Sequence, residues 1–195
     1  MRSLILGLFI AAVAAAEPFT LERLAAISRD IATVRIPFVQ EKRLAILPDP
    51  VTAEGIIEIS RPLAAVRWEF TGRSLMILAD GRMRRWDDRG SEQVGDDPSL
   101  EALGAQMRAL LSGDFAALGE LFVVTPDPDG APALTLTPKR AELKRYIERI
   151  ALRFRADLSA PEELAIVAPG DDLTTYRFAE PQVDIELTPA RFAGP

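Results

Sequence analysis

A chain of 195 residues with a formal charge of −6, no histidine and no cysteine is long enough for one domain with a sizeable core. Lack of cysteine excludes disulfides, thiol chemistry and an N-terminal lipidated cysteine. Lack of histidine excludes Ser-His-Asp and Cys-His nucleophilic systems and histidine-based zinc sites. The acidic balance argues against nucleic acid as a partner.

Residues 1–16 carry one basic residue, Arg2, then an apolar run from Leu4 to Val13, then Ala14-Ala15-Ala16 before Glu17. This reads as a secretory signal peptide, too short to span a bilayer. Cleavage after Ala16 is expected. It would leave residues 17–195 as a single exported domain, soluble in the periplasm and one unit more negative than the full chain.

Residues 19–34 have the spacing of an amphipathic helix. Thr20 stands at the N-cap, Phe19 and Leu24 form a hydrophobic staple, and Leu21, Leu24, Ile27, Ile31 and Val34 make the buried stripe. Pro37 ends the helical pattern. A meander follows over residues 38–68, in which apolar runs at 44–47 and 56–59 flank Pro48-Asp49-Pro50, where two prolines must interrupt a ladder. Ser60-Arg61-Pro62 forms a corner. A strand then places Val66, Trp68 and Phe70 on one face and Arg67 and Glu69 on the other.

Residues 74–80 are apolar on both sides, with Leu75 and Ile77 alternating with Met76 and Leu78, so cover on both faces is expected. Asp80-Gly81 is a two-residue hairpin signal, and the returning strand 82–86 holds Arg82, Arg84 and Arg85. Residues 87–97 read as an exposed loop. Asp97 and Pro98 then open a second helix, with Leu100, Leu103, Met107, Leu110 and Leu111 on one stripe and a stop at Ser112-Gly113. A short third helix is expected from Asp114 towards Leu121. Strands are expected at 122–125, 133–137, 146–155, 163–168, 174–178 and 183–187.

About ten strands in succession with about three helices define an α+β fold, an antiparallel sheet with its helices gathered on one face. A sheet of that many strands tends to curl.

Several motifs in this order resemble a family. They are Phe38-x-Gln40 with Lys42, Glu54-Gly55 opening a strand, Arg61-Pro62 followed by Trp68, Asp80-Gly81, Leu136-Thr137-Pro138-Lys139, and the segment from Thr175-Tyr176 to Phe192. Together they are similar to the LolA-type periplasmic lipoprotein carriers. The resemblance implies a strongly curved, open half-barrel of about 10–11 strands whose concave face is covered by about three helices. It implies a soluble monomeric carrier, without cofactor or catalysis. Such a carrier shields the acyl chains of lipoproteins and moves them from an inner-membrane releasing complex to an outer-membrane receptor. It also implies that Arg61 contacts the lid helix and gates the cavity.

Candidate cavity residues on that fold are Ile57, Ile59, Val66, Trp68, Leu75 and Ile77 from the sheet, and Leu24, Leu103, Met107 and Leu110 from the helices. The same spacing serves an ordinary packed core, and both readings stay open. Arg82, Arg84 and Arg85 are candidates for docking an acidic partner or a lipid headgroup, or a charged outer face. Asp87-Asp88, Asp96-Asp97 and Asp171-Asp172 fall in turn-rich stretches without calcium-loop spacing and read as turns and caps, with no metal site expected. Two other functions stand beside the carrier: a sensor of lipid or lipoprotein, or a carrier of another acylated lipid, on the same fold; and a carboxylate-based hydrolase, disfavoured by the missing histidine and the absence of a Gly-x-Ser-x-Gly elbow.

Overall fold

The computed structural model describes residues 19–93 and 118–195. Its strands are β1 (Thr33–Arg43), β2 (Val51–Ser60), β3 (Ala65–Phe70), β4 (Ser74–Ala79), β5 (Arg82–Trp86), β6 (Glu92–Gln93), β7 (Phe122–Pro126), β8 (Ala133–Pro138), β9 (Arg149–Phe154), β10 (Pro161–Val167), β11 (Leu173–Phe178) and β12 (Gln182–Val183). The helices are α1 (Leu21–Asp30), α2 (Leu118–Leu121) and α3 (Ala141–Lys144), with a 3₁₀ turn at Pro189–Phe192. The strands join in the order β6-β5-β4-β3-β2-β1-β11-β10-β9-β8-β7, every pair antiparallel, with β12 beside β1. The sheet stays open, as an α+β half-barrel does.

Helix α1 starts where its cap allows: Thr20 Oγ1 accepts from the amide of Arg23 at 3.1 Å. It ends at Asp30, short of the expected Val34. Ile31 is already extended, and Thr33 and Val34 belong to β1. The β-branched residues at 31, 33 and 34 favour a strand, and Val34, Ile36, Phe38 and Gln40 continue a period of two that overrides the helical stripe. Pro37 sits within this strand. Its carbonyl accepts from Ala179 at 2.9 Å, on the side where β11 stops at Phe178 and β12 begins at Gln182. In an antiparallel ladder both polar groups of a residue point to the same neighbour, so the missing N–H faces the break between two partner strands.

Three further expectations shift. The run at 44–47 is a loop rather than strand: Leu47 donates to Leu44 at 2.9 Å in a turn, and Ile46 is 88% exposed. The strand expected from 146 begins at Arg149, because the turn of helix α3 precedes it. The strand expected at 183–187 pairs only through β12; beyond it the chain leaves the ladder and packs beneath the sheet. The second predicted helix, with Asp97 and Pro98, lies outside the described residues, and of the third only α2 lies within them.

Register fixes the two faces. Ile36 opposes Ile57, Ile57 opposes Trp68, and Trp68 opposes Met76, so these share one side, the inner face. Two apolar clusters run along it. One joins Val34, Ile36, Phe38, Ile57, Ile59, Val66, Trp68, Leu78, Tyr176 and Phe178. The other joins Leu24 of α1 to Phe122, Leu134, Leu136, Ile150 and Phe154, and the partly buried Leu164 and Ile166 touch both.

On the outer face Ala65, Leu75, Ile77 and Trp86 are covered by Leu187 and Phe192 of the C-terminal segment. Beside them Glu58 is fully buried, and its carboxylate receives Arg35 at 2.7 Å and Arg191 at 2.8 Å, with Arg67 at 3.9 Å. Arg67 Nη1 also donates to the carbonyl of Arg191 at 3.0 Å. A buried carboxylate without cationic partners would be prohibitive, so this cluster holds the 3₁₀ turn against the sheet. The Asp80-Gly81 hairpin forms as expected, both residues having positive φ (51° and 70°).

Candidate functional site

The inner face is built around a ring cluster. Phe38 meets Phe70 at 5.3 Å, Tyr176 at 5.6 Å, Trp68 at 6.0 Å and Phe178 at 6.4 Å between centroids, each edge to face. Three strands deliver these rings, with β2 lying between two of them: β1 carries Phe38, β3 carries Trp68 and Phe70, and β11 carries Tyr176 and Phe178. Gly55 makes room at the centre. A Cβ there would stand 2.7 Å from Phe38 Cε1 and closer still to its Cζ and to the carbonyl oxygen of Glu69, so only glycine lets the Phe38 ring lie across β2.

Polar groups are set among the rings. Gln40 Nε2 donates to the Tyr176 hydroxyl at 2.6 Å, both residues being buried. Burial pushes the Tyr176 phenol above its ordinary pKa, opposed by the Gln40 bond. The indole Nε1 of Trp68 is buried and has no acceptor among the described residues. This face is therefore apolar with a few hydrogen-bonding groups buried in it.

At the end of this face where the β2–β3 corner lies, Arg61 meets α1. Its amide donates to the carbonyl of Ala32 at 3.0 Å, and its guanidinium Nη1 donates to the carbonyl of Ile31, the C-cap of α1. A cation at a helix C-terminus meets both unsatisfied carbonyls and the negative end of the helix dipole. Burial draws the Arg61 pKa below the ordinary arginine value, and Asp184 opposes this. Asp184 also accepts the amide of Ala32 at 2.9 Å, and Thr33 Oγ1 donates to the carbonyl of Ile185 at 2.6 Å. The end of α1 is thus tied to both the β2–β3 corner and the C-terminal segment.

The structure divides the residues expected at the site. Ile57, Ile59, Val66 and Trp68 lie together on the inner face, and Leu24 projects onto it from α1. Leu75 and Ile77 are on the opposite face, beneath Phe192, and Met76 and Leu78 take the inward positions on β4. A strand apolar on both sides gives no sign of which side is which, and only pairing of Trp68 with Met76 decides it. Leu103, Met107 and Leu110 lie outside the described residues.

Alternation also separates the arginines of β5. Arg82 and Arg84 share the outer face with Ala79 and Ile77, and Arg84 Nη2 donates to the Phe192 carbonyl at 3.1 Å while lying 5.2 Å over the Trp86 ring. Arg85, opposite Met76, is on the inner side. They do not form one patch. Asp87 Oδ1 accepts from the amides of Arg89 and Ser91, and Asp172 Oδ1 from that of Ala45, as turn residues do. Asp96-Asp97 lies outside the described residues. Sequence reading missed Asp184, whose alternation with Val183 and Ile185 looked like an exposed strand face, and the Gln40–Tyr176 pair, formed across 136 residues.

The architecture is an open antiparallel half-barrel with an aromatic inner face, on which helix α1 packs through Leu24. The family described as "Outer membrane lipoprotein carrier protein LolA" matches residues 29–194, and the chain belongs to it. Its members are carriers or binders. Among solved structures, an uncharacterized conserved protein from Thermus thermophilus has the same fold, with a TM-score of 0.50 at 12% identity over 88% of this chain and 90% of that one. A LolA superfamily protein from Nitrosomonas europaea gives 0.48 at 7% identity, over 89% and 95%. The Pseudomonas aeruginosa MucA/MucB complex gives 0.45 at 16% identity over 90% of this chain, which spans 59% of the chain it matches there. No curated protein matches the sequence. Among the described residues no helix is long and apolar enough to cross a membrane, and no acidic cluster could hold a metal ion.

Proposed function

We propose that the chain is a periplasmic carrier, exported by cleavage after Ala16 as the single domain 17–195, that shields the acyl chains of lipoproteins on its inner face and passes them from the inner to the outer membrane. The observation that carries this reading is the largely apolar inner face spanning both clusters, with α1 seated on it and bonded at its C-cap by Arg61. Each exposed methylene of an acyl chain costs about 0.8 kcal/mol, so one long chain needs about ten kcal/mol of shielding in water. Ile57, Ile59, Val66, Trp68, Met76 and Leu78 would line the cavity, and a cover held at the Ile31 carbonyl by one guanidinium can be released in steps. Arg61 is the gating residue on this reading.

The test is native mass spectrometry of the protein recovered from its own periplasm, beside Arg61→Leu. Co-purified acylated lipoprotein, held more strongly by the variant, supports both the cargo and the latch. A different bound lipid moves the function to another lipid pathway. Empty protein in both forms refutes the carrier reading.

A further inference from the structure

The end of the sheet away from Arg61 has a character that cargo shielding does not require. Arg43, Leu173, Val167 and Arg149 stand in one row across β1, β11, β10 and β9. The loops beyond that row are therefore neighbours. Ala45 donates to Asp172 at 2.8 Å, and Glu148 donates to the Val167 carbonyl at 2.7 Å, which ties the β1–β2 loop, the β10–β11 turn and the segment before β9 into one surface.

Two unusual features meet there. The β1–β2 loop presents Ile46 at 88% exposure beside Leu47 at 43%, held out by Pro48 and Pro50. What distinguishes the loop is two adjacent large apolar side chains in water, the start of a contiguous patch rather than a single exposed residue. Across three strand spacings, about 14 Å, residues 139–149 carry five lysines and arginines against two glutamates, in a chain whose net charge is −6. Arg140, Lys144, Arg145 and Arg149 are all exposed and make no ion pair among the described residues, and Tyr146 between them is 65% exposed.

We propose that this end docks on an anionic bilayer surface, with Ile46 and Leu47 entering the headgroup layer and Lys144, Arg145 and their neighbours meeting lipid phosphates around Tyr146. Apolar tips and clustered cations on one surface match the two components of interfacial binding, burial of side chains and attraction to negative lipid. Tyrosine suits the boundary, having an apolar body and a polar end. A bilayer supplies both the anionic surface and the apolar layer in one partner.

The experiment is co-sedimentation of the exported protein, its N-terminus verified by mass, with phosphatidylcholine vesicles with and without phosphatidylglycerol. Binding is expected only with phosphatidylglycerol, and it should weaken with added salt. The double variants I46S/L47S and K144E/R145E should each lower it at least tenfold. Asp129→Asn, at the opposite end of the sheet, should leave it unchanged. All these positions are exposed, and unchanged melting of each variant would exclude misfolding. Equal binding to both vesicle types, no binding to either, or variants as good as the parent overturns the proposal; binding to neither would assign the surface to a protein partner. Cargo retention by mass spectrometry is read separately, so failure of docking and failure of the carrier reading are distinguishable.

Discussion

Gly55→Ala adds one methyl group at the centre of the inner face. The new Cβ would press on the Phe38 ring and on the backbone oxygen of Glu69, and the second of these cannot rotate away. If Phe38 moves, it gives up four edge-to-face contacts worth about 0.5–1.5 kcal/mol each. If β2 and β3 part instead, the ladder between Gly55 and Phe70 weakens. Overpacking of a filled core costs about 1–3 kcal/mol, and partial loss of ring contacts brings the expected total to about 3 kcal/mol. In a domain of this length that lowers the thermal midpoint by about 6–12 °C. Thermal and urea melts of Gly55→Ala, Phe38→Leu and the double variant measure it. Trimming the ring relieves one of the two clashes, so the double variant should be more stable than the sum of the singles by about 1 kcal/mol. A cost for Gly55→Ala below about 1 kcal/mol, or strict additivity, would refute the claim that Gly55 exists to seat Phe38.

Glu58→Ala leaves Arg35, Arg67 and Arg191 facing one another without their carboxylate. Because Arg35 and Arg191 are partly exposed, the expected loss is about 2–3 kcal/mol in urea unfolding, below the full cost of breaking a buried pair. The C-terminal segment should also become sensitive to protease. The Tyr176 phenol has its pKa raised in the folded state, so its contribution to stability is fully present below about pH 10 and is lost as pH rises through the higher folded value. Denaturation midpoints followed from neutral pH upward should show this alkaline fall in the parent and a shallower one in Tyr176→Phe. Arg61→Leu removes a charged hydrogen bond worth about 1.5–3 kcal/mol at the end of α1. Hydrogen exchange of the α1 amides should accelerate by about tenfold or more, with little change in the strands β8 and β9. Uniform acceleration would mean that Arg61 supports the whole fold rather than the latch.

Local pattern was enough for much of this molecule. Asp80-Gly81 needed only two residues to turn the chain, Thr20 capped α1 through an atom three residues away, and alternation of Val66, Trp68 and Phe70 with Arg67 and Glu69 assigned β3 its faces. The motif order around Phe38, Gly55 and Arg61 was likewise readable along the chain, and with it the family and its open half-barrel. These features depend on neighbours in sequence or on a period that one strand displays by itself. Helix α1 ran too long on paper because Ile31 and Val34 fit both the helical stripe and the β1 alternation, and pairing with β2 settled the choice.

Other features had no such local sign. Leu75 and Met76 are equally apolar, so only the register between β3 and β4 could send Met76 inward with Trp68 and place Leu75 under Phe192. Asp184 became a partner of Ala32, and Arg191 of Glu58, through contacts across 152 and 133 residues. Ile46 was one apolar residue in an apparent strand until β1 stopped at Arg43 and left it in water. Sequence determined which segments could form strands, caps and turns, because those are short-range matters of sterics and period. Tertiary structure decided which side of each strand faces inward and which charges meet, because both follow from which distant segments pair.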